Sequence, residues 1–215
     1  MELFTTAWTS LRSVVADLAD DDLLRASGCR GWLVRDLVCH LITDAQDVLI
    51  TLATPAESEP TRNAVTYWDL APAQPSGDDP LDALTIRLAA AYHDPRLLKF
   101  HLDDVGSAAG RAARLADPQG RVETKGEVLT VADFLDAYVL EWTLHHLDLV
   151  AHLPHVPGPP GETLAASRHL LDRIAGTPFP AALSDTDALL VGTGRRAPTE
   201  SELDGLPAGV PLVLG

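Results

Sequence analysis

The chain has 215 residues, of which 46% are hydrophobic and 22% charged, and its formal net charge is −15. This composition is typical of a folded protein with one sizeable core and excludes an intrinsically disordered chain. The acidic charge, without any basic run, argues against nucleic-acid partners and against binding to anionic membranes. No apolar run reaches the roughly 20 residues of a spanning helix, and the N-terminus lacks a signal-peptide pattern. We therefore expect a cytoplasmic protein.

Four long helices are predicted in residues 1–155. Apolar side chains recur at helical spacing in each of them, and a long proline-rich connection, 55–79, separates the second from the third. Residues 106–129 are rich in glycine, which predicts loops with at most a short hairpin. Thr130 and Asp133 form a near capping box at the start of the last helix. The predicted helices cover residues 3–18, 31–54, 80–93 with a resumption over 95–105, and 130–153.

A smaller unit is predicted after the proline-rich break at 154–160. Residues 161–175 carry one more helical pattern, and the short apolar runs 188–191 and 210–214 are typical of strands. Residues 156–215 are thus predicted to form a small α/β appendage, which is too short for independent stability and should pack on the bundle. The predicted fold class is mainly α, a four-helix bundle with a small C-terminal α/β appendage.

The fourth helix carries Glu141 and His145 four residues apart, so both side chains lie on one face. A carboxylate and an imidazole at this spacing can bind one divalent metal ion, and His40 on the second helix is the best candidate for a third ligand. Helical periodicity places His40 about 130° and Glu141 about 100° from the centres of their apolar stripes. That position suits a cleft at the edge of a bundle, and it equally suits ordinary surface residues.

Two sequence blocks resemble the DinB-like, mycothiol-dependent maleylpyruvate isomerase family. Residues 31–41 match its GW-x-VRDL-x-x-HL signature, and residues 141–149 match a second signature in which a helix supplies Glu and His. The resemblance covers about residues 1–155. It implies a DinB-like four-helix bundle with a small C-terminal α/β domain. It also implies that His40, Glu141 and His145 bind a divalent metal, usually zinc.

The resemblance further implies a thiol cosubstrate, mycothiol, the low-molecular-weight thiol of actinobacteria. Three protein ligands leave the fourth position of zinc open, and a thiol that enters it is deprotonated at neutral pH. A thiolate can add to an electrophilic double bond. Its loss after bond rotation gives cis–trans isomerisation, and its retention gives S-transfer. The expected partners are therefore a small thiol and a small electrophilic substrate, in a monomer or a homodimer.

Three further residues are candidates for this site. Asp148, one turn beyond His145, could orient that histidine through its second ring nitrogen or be a solvated acid. Arg195 and Arg196 could bind a carboxylate of the thiol or the substrate, or could lie in a solvated turn. The predicted catalytic set is His40, Glu141, His145 and Asp148.

Two other functions remain open on the sequence alone. A metal-dependent hydrolase or lyase could use metal-bound water at the same position. A binding module without catalytic activity could have kept the bundle, although such a module has no reason to retain all three ligands.

Overall fold

The computed structural model describes residues 1–71 and 80–214, so residues 72–79 of the predicted 55–79 connection lie outside the described part. The helices are α1 (Glu2–Asp17), α2 (Val34–Leu52), α3 (Pro80–Ala91), α4 (Pro95–Leu115), α5 (Val131–Val150), α6 (Gly161–Ala175), α7 (Asp185–Gly192) and α8 (Glu200–Leu203). The strands are β1 (Leu70–Ala71), β2 (Arg121–Thr124), β3 (Glu127–Thr130) and β4 (Val213–Leu214). The prediction of a mainly α-helical fold with a small appendage is confirmed.

Helices α1, α2, α4 and α5 enclose the larger hydrophobic core. Helix α2 packs along α4, and α1 packs against both α4 and α5. The indole rings of Trp8 and Trp142 stack at the centre of this core with ring centroids 3.8 Å apart. This stack ties the first helix of the bundle to the helix that carries Glu141 and His145.

The prediction that residues 106–129 form loops is wrong for its first ten residues, because α4 continues to Leu115. Gly106 does not break the helix; its carbonyl accepts a 2.8 Å hydrogen bond from Trp8 Nε1. A Cβ atom at Gly106 would lie 2.7 Å from Trp8 Cζ2, so only glycine allows α1 to approach α4 this closely. The predicted restart at Pro95 is confirmed, with Asp94 as its N-cap.

A short hairpin joins α4 to α5, as the sequence allowed. Strands β2 and β3 pair antiparallel through a two-residue turn in which Lys125 and Gly126 have φ angles of 51° and 78°. Positive φ at both positions is the geometry of the tightest hairpin turns. Strand β3 leads directly into α5, whose cap is confirmed because Thr130 Oγ1 accepts a 3.0 Å hydrogen bond from the Asp133 amide. The hairpin thus sets where the site-bearing helix begins.

The C-terminal region is more helical than predicted. Helix α6 is confirmed, but the strand predicted over 188–191 is wrong, because those residues belong to α7. Ser184 Oγ accepts a 3.1 Å hydrogen bond from the Asp187 amide and caps the start of this helix. The strand predicted over 210–214 is reduced to β4, which pairs antiparallel with β1 in the long connection.

Helix α5 is buried on two sides. Its Trp142 face belongs to the bundle core, whereas Leu140, Leu144 and Leu147 belong to a second cluster formed with α6, α7 and the connection around Trp68. The C-terminal residues therefore cover a face of α5 that a bare bundle would leave in water. The division into 1–155 and 156–215 stays a prediction.

None of the helices in the described ranges combines the length and the apolar character needed to span a bilayer.

Candidate metal centre

Helices α2 and α5 bring the three predicted ligands together. The Nε2 atoms of His40 and His145 lie 3.2 Å apart. The same Nε2 atom of His145 lies 3.1 Å from Glu141 Oε1. A carboxylate and two imidazole nitrogens meeting at one point is the donor set of a catalytic zinc or similar divalent ion. The residues present fit such an ion; their role as ligands stays a prediction.

The side chains of the cluster differ in their exposure to solvent. The side chains of His40 and Glu141 are 27% and 28% exposed, whereas that of His145 is 10% exposed. His145 is therefore not an ordinary surface residue, which was one of the two interpretations that periodicity left open. His40 and Glu141 therefore leave part of the donor set in contact with solvent.

Asp44 belongs to the same cluster. Its Oδ1 lies 3.5 Å from His40 Nε2, and one donor atom from each of His40, Asp44, Glu141 and His145 lies within 4.8 Å of all the others. Asp44 is buried, and its Oδ2 accepts no hydrogen bond from the described residues. Burial raises the pKa of Asp44; the charge of His40 opposes this and that of Glu141 adds to it.

The acids around His145 control its charge in the metal-free protein. Burial alone would lower the pKa of His145, but Glu141 and the hydrogen bond to Asp148 raise it well above its ordinary value. Burial would likewise raise the pKa of Glu141, but His145 and, more weakly, His40 lower it to about 2. Protonation of His145 and metal binding at its Nε2 therefore compete with each other.

The second ring nitrogen of His145, Nδ1, contacts Asp148 on the side opposite His40 and Glu141. Nδ1 lies 3.3 Å from Asp148 Oδ2, so a proton on Nδ1 leaves Nε2 free as a ligand atom. Asp148 is 2% exposed, and Arg195 binds both of its oxygens, from Nε to Oδ1 at 2.9 Å and from Nη2 to Oδ2 at 3.0 Å. Although burial opposes it, Arg195 and His145 lower the pKa of Asp148.

The two neighbouring arginines have different partners. Arg195 reaches into the core and binds Asp148, whereas Arg196 binds Asp187 at 2.9 Å and Glu202 at 2.8 Å near the surface. Both were candidates for binding a carboxylate of the thiol or the substrate, with a solvated turn as the alternative. In this structure the guanidinium of Arg195 is engaged with a protein carboxylate, and that of Arg196 links α7 to α8.

Sequence reasoning did not find the residues that close the site behind His145. Cys29 Sγ lies 3.4 Å from Asp148 Oδ2 and 4.0 Å from His145 Nδ1. Burial raises the pKa of this thiol, although the hydrogen bond to His145 opposes the shift. Next to it, the Gly28 amide donates a 2.7 Å hydrogen bond to the Asp148 carbonyl, and a Cβ at Gly28 would lie 2.7 Å from Asp148 Oδ1.

A local signal for Asp44 was present in the sequence. His40 and Asp44 stand four residues apart on α2, which mirrors the spacing of Glu141 and His145 on α5. Cys29 carried no comparable signal, because it lies outside any helix and contacts α5 only through the fold.

Comparison with protein families identifies residues 4–150 as a mycothiol maleylpyruvate isomerase N-terminal domain. The comparisons with curated proteins and with solved structures gave no match.

Proposed function

We propose a function from the premise that this chain belongs to the family of mycothiol maleylpyruvate isomerase N-terminal domains. The proposed function is that of a metal-dependent enzyme, which activates a small thiol, mycothiol, for cis–trans isomerisation or S-transfer on an electrophilic metabolite.

The observation that carries this proposal is the convergence of His40, Glu141 and His145 at a partly exposed position. The donor atoms lie 3.1 and 3.2 Å from the shared Nε2 of His145, and two of the three side chains are more than a quarter exposed. A divalent ion bound there supplies Lewis acidity that stabilises the thiolate form of a thiol at neutral pH. An accessible position is what a catalytic site requires and a structural site lacks.

The remaining residues prepare His145 for this task. Asp148 accepts a hydrogen bond from Nδ1, which directs the lone pair of Nε2 towards Glu141 and His40. Arg195 keeps Asp148 ionised and fixed, because its guanidinium contacts both carboxylate oxygens. The C-terminal region thereby contributes to the site through Asp148.

The reaction of the thiolate is an addition to a conjugated alkene followed by elimination or protonation. The sulfur lone pair forms an S–C bond to an alkene conjugated with a carbonyl, and the π electrons move onto the carbonyl oxygen. The former double bond is now single and rotates. Expulsion of the thiolate returns the pair to sulfur and restores the double bond in the trans form. If the carbon next to the carbonyl is protonated instead, the thioether remains and the reaction is an S-transfer.

The deciding experiment measures turnover of an activated cis-alkene by metal-loaded protein with and without mycothiol. We expect a rate that saturates with thiol and disappears when a chelator removes the metal. Undiminished turnover without thiol would instead favour a hydrolase or lyase that uses metal-bound water. Thiol binding without turnover of any electrophile would favour the non-catalytic binding module.

A further inference from the structure

We infer that Asp44 is a fourth protein ligand, so that the ion is held by two imidazoles and two carboxylates. This inference deepens the proposed function and rests on it in one respect, namely that the site binds a divalent ion.

The first argument is the side of the histidine on which Asp44 lies. Asp44 Oδ1 is 3.5 Å from His40 Nε2, the same nitrogen that faces His145 at 3.2 Å. A carboxylate that only orients a metal-bound histidine contacts the nitrogen that does not bind the metal. Asp148 does this at Nδ1 of His145, whereas Asp44 stands among the donor atoms. Its position is that of a ligand.

The second argument is that the other carboxylate oxygen of Asp44, Oδ2, is buried without a hydrogen-bond partner in the described residues. Asp44 is only 6% exposed. A buried polar atom without a partner costs about 1–3 kcal/mol, and more when it is charged. Among the described residues, no guanidinium or ammonium group pairs with Asp44 as Arg195 pairs with Asp148. A divalent ion in the cluster would supply the missing partner and the missing positive charge.

A second carboxylate changes the chemistry of the centre. Two carboxylates and two neutral imidazoles around a dication give zero net charge, so the thiol meets a less electrophilic centre than three ligands would provide. An incoming thiol would then be a fifth ligand, which zinc can accommodate.

The test compares metal affinities of the full-length protein, measured by competition with a chromophoric chelator for Zn²⁺. Asp44→Asn keeps the side-chain volume and removes the ligand charge. Asp47→Asn is the matched control, since it removes the same charge from the same helix outside the cluster. Asp148→Asn represents a residue that only orients a ligand. Apo-protein unfolding, monitored by circular dichroism, checks that each variant folds, and Asp44→Ala repeats the measurement should the Asn amide still bind metal.

We expect Asp44→Asn to lower the Zn²⁺ affinity by more than about 100-fold, beyond the roughly 10–100-fold loss typical of an orienting residue. In a zinc-loaded crystal structure, an Asp44 oxygen should lie about 2.0–2.2 Å from the ion. A loss no larger than that of Asp148→Asn or Asp47→Asn, while His40→Ala abolishes binding, would overturn the fourth ligand and leave the metal centre standing. Absence of binding in the wild-type protein would overturn the metal centre itself.

Discussion

The two sides of His145 carry the same types of side chain in opposite electrostatic conditions. On the closed side, Asp148 is 2% exposed and shares its two oxygens between Arg195 and the Nδ1 of His145. On the open side, Asp44 is 6% exposed, yet one of its oxygens has no partner in the described chain. The pKa of Asp148 is lowered, and that of Asp44 is raised.

The difference shows where the protein supplies its own positive charge. Burial penalises both carboxylates, but only Asp148 has a guanidinium against it. The closed side is therefore complete without any ligand, and it holds His145 in one orientation. The open side concentrates Glu141 and Asp44 around two imidazoles, and neither carboxylate has a guanidinium or ammonium partner among the described residues. This contrast favours metal binding on the open side.

Removal of His145, which joins the two sides, should have the largest effect. His145→Ala should abolish metal binding and turnover, because Nε2 is the donor atom shared by the contacts to His40 and Glu141. The bundle should stay folded, since the Asp148–Arg195 pair remains. Isothermal titration with Zn²⁺ measures the effect, with His152→Ala at an exposed position of the same segment as control. Unchanged Zn²⁺ affinity in His145→Ala would contradict the assignment.

Arg195→Met should destabilise the folded protein, because Arg195 binds Asp148 on the closed side of His145. It leaves Asp148 buried without its cation, and loss of one partner of a buried pair costs about 3–5 kcal/mol of unfolding free energy. Urea denaturation of the metal-free protein measures this change. Arg196→Met is the matched control, because its guanidinium is 33% exposed and its loss should cost no more than about 1 kcal/mol. Equal losses in the two variants would show that Asp148 does not depend on Arg195.

His146 tests whether nearby charges or burial determine the pKa values of the histidines on α5. It is 1% exposed, has no acid against it and donates a hydrogen bond from Nε2 to the Pro157 carbonyl, and burial lowers its pKa to about 4. Because the unfolded chain binds this proton near pH 6.5 and the folded protein does not, stability should fall as the pH drops from 6.5 towards 4.

Between pH 6.5 and pH 4, His146 should lower the free energy of unfolding by about 3 kcal/mol. Urea denaturation between pH 5 and 7 should show a shallower pH dependence for His146→Gln, which keeps a donor for the Pro157 carbonyl. His145 is present in both proteins, so its own pH dependence cancels from this comparison. An identical pH dependence in wild type and His146→Gln would refute a neutral buried His146.

Asp148→Asn should have the smallest effect on the open side. It removes the acceptor charge at Nδ1 and should reduce metal affinity by about 10–100-fold, because Nε2 is then less firmly oriented. The double variant Asp148→Asn/Arg195→Met, measured by chelator competition, should regain stability without regaining affinity. Recovery of both would mean that Asp148 supports the fold and has no role in orienting His145.

Local periodicity was sufficient for much of the bundle. The starts of α4 and α5 and the whole of α6 followed from caps, prolines and apolar spacing, which act within a few residues, whereas the hairpin was only allowed as one possibility. The error at Gly106 arose because its role depends on a distant residue: Trp8 packs on this glycine inside α4. The error over 188–191 was local, because the Ser184 cap that starts α7 was overlooked.

The sequence by itself determined the spacing of the candidate ligands, because residues four apart on any helix share a face. It thus paired Glu141 with His145, and the family signature added His40. Only the tertiary structure decided which face is open and which is closed. Arg195 reaches Asp148 across 47 residues, and the C-terminal helices bury the side of α5 that periodicity left undefined. A helical angle specifies where a side chain points, and the packing of distant segments specifies what it meets there.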